Sequence, residues 1–152
     1  MDAEFTFLTQ SLQKTQSSGI FMILDATVTK QADASEDSKA GLYIKNMEPY
    51  ILSSSTPALH VLRGNPKVAR NHAVQLSAQW RMEFDVEAAA YYHRPLEQAK
   101  QQGISLSRLY YWTPAMIFPG TSEEVMLCSI PLLDPSGQPY GVCGFEISEL
   151  LF

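Results

Sequence analysis

Six side chains of this 152-residue chain are of the types that build a small-molecule pocket: Trp80, Tyr91, Tyr92, Arg94, Tyr110 and Trp112. Small-ligand pockets are mostly apolar and aromatic walls with a few convergent polar groups, and a guanidinium fork is the usual partner of a carboxylate. The tyrosines and tryptophans supply walls and Arg94 supplies the fork. Each wall residue also has a structural reading as core: Trp80 on a helix face, Tyr110 and Trp112 on one face of a strand. Arg63 and Arg108 are expected to be solvated or paired with acidic loop residues.

Catalysis finds less to work with. His60, His72 and His93 lie far apart in sequence, with no HExxH, His-Cys or clustered-carboxylate context. No Gly-rich phosphate loop is present; the glycines of Gly141-Val142-Cys143-Gly144 fall in a strand pattern, where they suit a bulge or the close approach of a neighbour. No base is spaced to activate a Ser or Cys nucleophile, and no second Cys or His pair accompanies Cys128 and Cys143 to make a metal site. The expectation is a binding module, not an enzyme, with no cofactor and no metal.

Composition narrows the partners. A content of 45% hydrophobic and 18% charged residues is that of a globular protein, and the length suits one core. With a net charge of −5 and basic residues scattered singly, nucleic acid is not an expected partner, because phosphate binding needs clustered Lys and Arg. No apolar run approaches the ~18 to 20 residues that span a bilayer, and Met1-Asp2-Ala3-Glu4 lacks the basic-then-apolar pattern of a signal peptide.

The pocket residues need elements to hold them. Phe5, Leu8 and Leu12 predict an amphipathic helix over 2–16, with Asp2 and Glu4 at the end where the helix dipole favours acids, and Ser17-Ser18-Gly19 ends it. Residues 20–28 and 41–47 read as two strands paired across the polar loop 29–39, and Ser53 to Pro57 is a further break. Residues 58–63 form a short element of either type. Asn65-Pro66 supplies a cap and first-turn proline for a helix running to about Arg81, with Val68, Ala69, Leu76 and Trp80 as its apolar stripe. The acidic run Glu83 to Glu87 faces solvent or a basic group. Arg94-Pro95 opens the next helix and Gly103 closes it. Residues 106–112 alternate as a strand, Pro114, Pro119 and Gly120 make an irregular connection, and Asp134-Pro135-Ser136-Gly137 turns a closing hairpin. The sum is one α+β domain: a central antiparallel sheet of five to six strands, an N-terminal helix and flanking helices. A turn centred between Pro135 and Ser136 sets Cys128 opposite Cys143, roughly 4.5 Å apart at Cα in a non-hydrogen-bonded register, which admits either a disulfide or two buried thiols beside Met126, Ile130 and Phe145.

Three runs carry a family resemblance: Tyr91-Tyr92-His93-Arg94-Pro95-Leu96-Glu97-Gln98-Ala99-Lys100, then Leu109-Tyr110-Tyr111-Trp112-Thr113-Pro114, then the hairpin from Val125 to Ser148 with Pro131-Leu132-Leu133-Asp134-Pro135-Ser136-Gly137-Gln138-Pro139-Tyr140-Gly141-Val142 at its centre. In order and residue type they resemble the Cache family, PAS-like sensor modules outside the cytoplasmic membrane in bacterial receptors. The resemblance covers the last 60 or so residues well and the first 90 weakly.

It implies a single Cache-like domain over 1–152 with its PAS-like core at 19–152, able to be the first part of a double-Cache unit. It also implies an extracytoplasmic location, transmembrane helices on one or both sides of this segment in the native protein, and a diguanylate cyclase, histidine kinase or chemoreceptor output, the first favoured; a homodimer is a further expectation. Its pocket would lie between the sheet and the helix and loop preceding the aromatic strand. Amino-acid-binding members carry Arg-x-Trp-Tyr at that helix, whereas here the arginine follows the tyrosines, so an amino acid, an amine, a small carboxylate or a small apolar metabolite all stay open as ligand. Two rival readings use the same residues: a cytosolic PAS- or GAF-type module holding a cofactor, and a ligand-free dimerisation or spacer domain in which the aromatics are core.

Overall fold

The computed structural model describes residues 2–27, 38–48, 58–101, 105, 108–118 and 123–149. In chain order the elements are α1 (Asp2–Thr15), β1 (Gly19–Thr27), β2 (Ser38–Asn46), β3 (Leu59–Arg63), α2 (Pro66–Asn71), β4 (Gln75–Arg81), β5 (Phe84–Asp85), α3 (Ala90–Ala99), β6 (Tyr111–Trp112), β7 (Met116–Ile117), β8 (Glu124–Leu133) and β9 (Pro139–Ser148). The strands make one nine-stranded sheet in the order β4-β3-β2-β1-β9-β8-β6, with β5 pairing β2 and β7 pairing β8. This α+β sheet is larger than the five to six strands expected, and it is mixed, because β3 and β4 run parallel through the α2 crossover.

Alternation along each strand sends neighbouring side chains to opposite faces. On one face Ile20, Leu42, Ile44 and Val61 meet Phe5, Leu8 and Leu12 of α1 and Val68 and Ala69 of α2. On the other, Phe21, Ile23, Tyr43, Leu62, Leu127 and Val142 meet Tyr91 and Tyr92 of α3 together with Phe84, Val86 and Phe118. The first and last strands pair in the middle of the sheet, from Gly19 against Glu146 to Leu24 against Gly141. Gly141 and Gly144 sit where neighbouring backbones leave no room for a side chain: a Cβ on Gly144 would stand 2.0 Å from the Cys128 carbonyl oxygen and one on Gly141 2.4 Å from that of Ile23.

Several expectations are corrected. The helix expected from Pro66 to Arg81 stops at Asn71; its cap is as read, Asn65 accepting from Lys67 N at 2.9 Å, but residues 75–81 form β4. Leu76, Ala78 and Trp80 alternate there with Gln75, Ser77 and Gln79, a period-2 pattern that helical spacing of Leu76 and Trp80 conceals. The helix expected from Arg94 begins at Ala90, so Pro95 lies inside α3. Proline has no N–H to give the carbonyl four residues back, and the buried Ser129 hydroxyl donates to that Tyr91 oxygen at 2.7 Å, tying the helix to β8. Of the strand expected over 106–112, β6 keeps only Tyr111 and Trp112, with Leu106 and Ser107 outside the described residues. The loop at 29–37, the break at 53–57, Gly103, Pro119 and Gly120 also lie outside them.

The hairpin exists, with its register displaced. Asp134 Oδ1 accepts from Ser136 N, Ser136 Oγ and Gln138 N, Gly137 takes a φ of 85°, and an irregularity at Leu132/Leu133 shifts the pairing. Cys128 therefore opposes Phe145, and Cys143 opposes Ile130. The two cysteines are free thiols on one face, diagonal to each other. Burial raises the Cys128 pKa, and burial with the nearby Cys128 pushes that of Cys143 up to about 11, so neither is a ready nucleophile.

Candidate functional site

The α3 face holds a cavity of about 190 Å³ lined by Arg63, Arg81, Glu83, Phe84, Asp85, Tyr91 and Phe118. At roughly 30 Å³ per water this is space for about six waters, or a small metabolite. Strict alternation from Leu62 would turn Arg63 away from it. The β2–β3 ladder instead pairs Ile44 with Val61 and Tyr43 with Arg63, so Leu62 is the extra residue of a β-bulge and Arg63 shares Tyr43's side of the sheet. The adjoining strand brings Arg81 beside it, since Arg63 and Arg81 are ladder partners.

Arg63 is 5% exposed. Its Nη1 donates to the carbonyls of Leu62 at 2.8 Å and Gln79 at 3.0 Å, and its guanidinium lies 5.4 Å from the Phe118 ring centre. Burial, then the neighbouring positive Arg81, lowers its pKa. Tyr91 packs edge-on to Phe21, and burial pushes its phenol up to about 12 against the opposing pull of Arg63. Glu83 and Asp85 complete the wall with negative charge. The cavity thus offers guanidinium groups for an anion, carboxylates for a cation, and Phe84, Tyr91 and Phe118 for an apolar portion. No group of three His, Cys, Asp or Glu able to hold a metal occurs among the described residues.

Of the six residues nominated from sequence, Tyr91 lines this cavity. Tyr92, next along α3, is buried toward β1, with its hydroxyl donating to Asp25 Oδ1 at 3.3 Å. Arg94 is exposed because Tyr91, Tyr92 and Pro95 occupy the buried side of α3, and it sits 5.8 Å over the Tyr111 ring. Trp80 donates from Nε1 to the Gly64 carbonyl at 2.9 Å and packs against the α1–α2 cluster on the opposite face. Tyr110 is 53% exposed, and Trp112, 45% exposed, stands edge-on to Phe145 at 5.5 Å. Arg63, expected to be solvated or paired with acidic loop residues, is not solvated: it is a buried cation of the cavity, which Glu83 and Asp85 also line. Its sequence signal was position, an arginine ending the apolar run Val61-Leu62; the bulge that aims it leaves no local signature.

A second polar cluster lies on the same face. Glu146, 1% exposed, accepts from Tyr43 Oη at 2.6 Å and Lys45 Nζ at 3.1 Å on Oε1, and from Ser18 Oγ at 2.5 Å on Oε2. Lys45 is also paired with Glu123, which accepts from the Ser148 hydroxyl. Burial, then the Glu146 charge, raises the Tyr43 pKa well above its usual value.

No protein-family model matches the chain, and no curated protein does. Among solved structures it is similar to the extracellular domain of soHK1S-Z6, assigned as a histidine kinase, with 12% sequence identity and a TM-score of 0.49 over 97% of this chain. The chain spans 43% of that one. At this level the likeness carries no residue-by-residue correspondence. No described helix is long and apolar enough to cross a membrane.

Proposed function

We propose that this chain is the small-molecule-sensing module of a transmembrane signalling receptor, of the PAS-like Cache type, facing away from the cytoplasm. Any catalytic output, whether diguanylate cyclase, histidine kinase or chemoreceptor signalling domain, belongs to other parts of such a receptor. The observation that carries the reading is the cavity in which the buried Arg63 and the exposed Arg81 share a wall with Glu83, Asp85 and three aromatic rings. Arranged around so small a volume, both signs of charge suit a ligand with an anionic and a cationic group, or with one of them; amino acids, amines and small carboxylates are the classes to try. The hairpin from Val125 to Ser148, which resembles that of Cache modules, supports the same reading. A ligand shifts such a module only by binding one arrangement more tightly than another.

The test is the thermal stability of the purified chain against amino acids, amines, short carboxylates and purines, with Arg81→Gln, Arg63→Lys and Arg94→Ala variants. A ligand at 100 times its Kd adds about 2.7 kcal/mol, a shift of several degrees for a domain of this size. The expected result is a shift from one class that Arg81→Gln and Arg63→Lys weaken and Arg94→Ala leaves in place. No shift from any class, together with tight self-association, would overturn the sensor reading in favour of a spacer domain.

A further inference from the structure

Burying a carboxylate is costly, and an apolar side chain of similar volume would often fill such a place at equal or better stability. Glu146 occupies the centre of the sheet all the same, and what its charge achieves is a junction. On one side it holds Ser18, the residue between α1 and β1: Ser18 Oγ donates to the carboxylate at 2.5 Å, and the Ser18 amide donates to the Glu146 carbonyl at 3.0 Å. On the other side it holds the Tyr43 hydroxyl at 2.6 Å. The Tyr43 ring lies 5.1 Å from that of Phe118 and 6.3 Å from that of Phe84, both of which line the cavity. Gly19 leaves this junction compact, since a Cβ there would stand 3.1 Å from the Tyr43 ring and 3.3 Å from Glu146.

We infer that Glu146 joins the cavity wall to helix α1, so that displacement of Phe118 or Phe84 by an occupant is passed through Tyr43 and the carboxylate to Ser18 and the end of the helix. The inference rests on reading the cavity as a ligand site. Its physical basis is an unbroken run of contacts, ring to ring, then hydroxyl to carboxylate to hydroxyl, between a site and an element whose exit it fixes. The Tyr43 hydroxyl can be removed alone, because Phe in its place keeps every ring interaction.

Amide hydrogen exchange on the purified chain tests this in two stages. In the first, no ligand is added. Tyr43→Phe and Ser18→Ala should each speed exchange several-fold in the last turn of α1 and the Ser17–Gly19 amides, leaving the β8–β9 amides unchanged. No change at α1, or an equal rise everywhere, would overturn the inference and make the hydroxyl contacts ordinary stabilising bonds. In the second, L-alanine and acetate are added at millimolar concentration. Where either protects residues 84–91, protection should extend to the α1 exit in the wild type and fail to extend in Tyr43→Phe. Protection reaching α1 equally in both would overturn the inference, whereas an absence of protection at 84–91 counts against the ligand-site reading and leaves the first stage to decide the junction.

Discussion

Leu42 and Ile44 point to one side of the sheet, Tyr43 and Lys45 to the other, and those four consecutive residues separate two chemistries. The α1–α2 side is an apolar cluster in which Ile20, Leu42, Ile44 and Val61 meet Phe5, Leu8 and Leu12. The α3 side interleaves its aromatics with buried Lys45, Arg63, Ser129 and Glu146. A face of the first kind depends on volume and tolerates exchanges that keep it. A face of the second kind depends on partners, because each buried polar group needs its counterpart and the loss of one strands the others. The sheet thus has a side held by volume and a side held by polar partners.

The sharpest way to break the comparison is Glu146→Ala, which leaves the Tyr43 hydroxyl without its acceptor, Ser18 Oγ with the backbone carbonyl of residue 146 alone and Lys45 with Glu123 alone; the expected loss is about 3–5 kcal/mol by urea unfolding. Leu42→Ala, two strands away on the apolar face, should cost about 2–5 kcal/mol through its cavity, while Leu42→Met costs less than about 1.5 kcal/mol and neither should alter the ligand-induced shift proposed above.

Alkali separates the faces by charge. Tyrosine in the unfolded chain ionises near pH 10, whereas Tyr91 resists to about 12 and Tyr43 is raised in the same direction. A pKa raised by folding gives stability that is complete below the unfolded value and lost as pH rises through the folded one. About 2–3 kcal/mol should therefore disappear between roughly pH 10 and 12 through Tyr91, and Tyr91→Phe should flatten that slope in denaturation midpoints. The clustered residues of the α1–α2 face include no tyrosine to contribute.

Smaller effects sharpen the picture. Ser129→Ala removes the donor to the Tyr91 carbonyl and should cost about 1–3 kcal/mol, because Pro95 cannot replace it. Arg94→Ala, an exposed contact over Tyr111, should change stability by less than about 0.5 kcal/mol.

What sequence could show follows from how far apart the cooperating residues lie. α1 was legible because Phe5, Leu8 and Leu12 carry their own periodicity, as was the hairpin because Asp134 to Gly137 has turn chemistry. β4 was misread because two of its apolar residues also fit a helix, and the hairpin register because an irregularity near the turn displaces it. For the site, Tyr91 was legible as an aromatic among aromatics. Arg63 was not, since only a bulge against β2 aims it inward, and Glu146 was not, since its partners Ser18, Tyr43 and Lys45 lie more than a hundred residues away.

The pairing of β1 with β9 also sets an order of events. At synthesis rates of roughly 5–20 residues per second, the apolar β1 waits about 6–24 s for its second neighbour, which lies more than a hundred residues downstream. During that interval Ile20 to Ile23 border an unfilled sheet edge, the kind of surface that other chains can join. Completion of this domain is governed by the arrival of its last strand, and Ile20 to Ile23 form its aggregation-exposed segment until then.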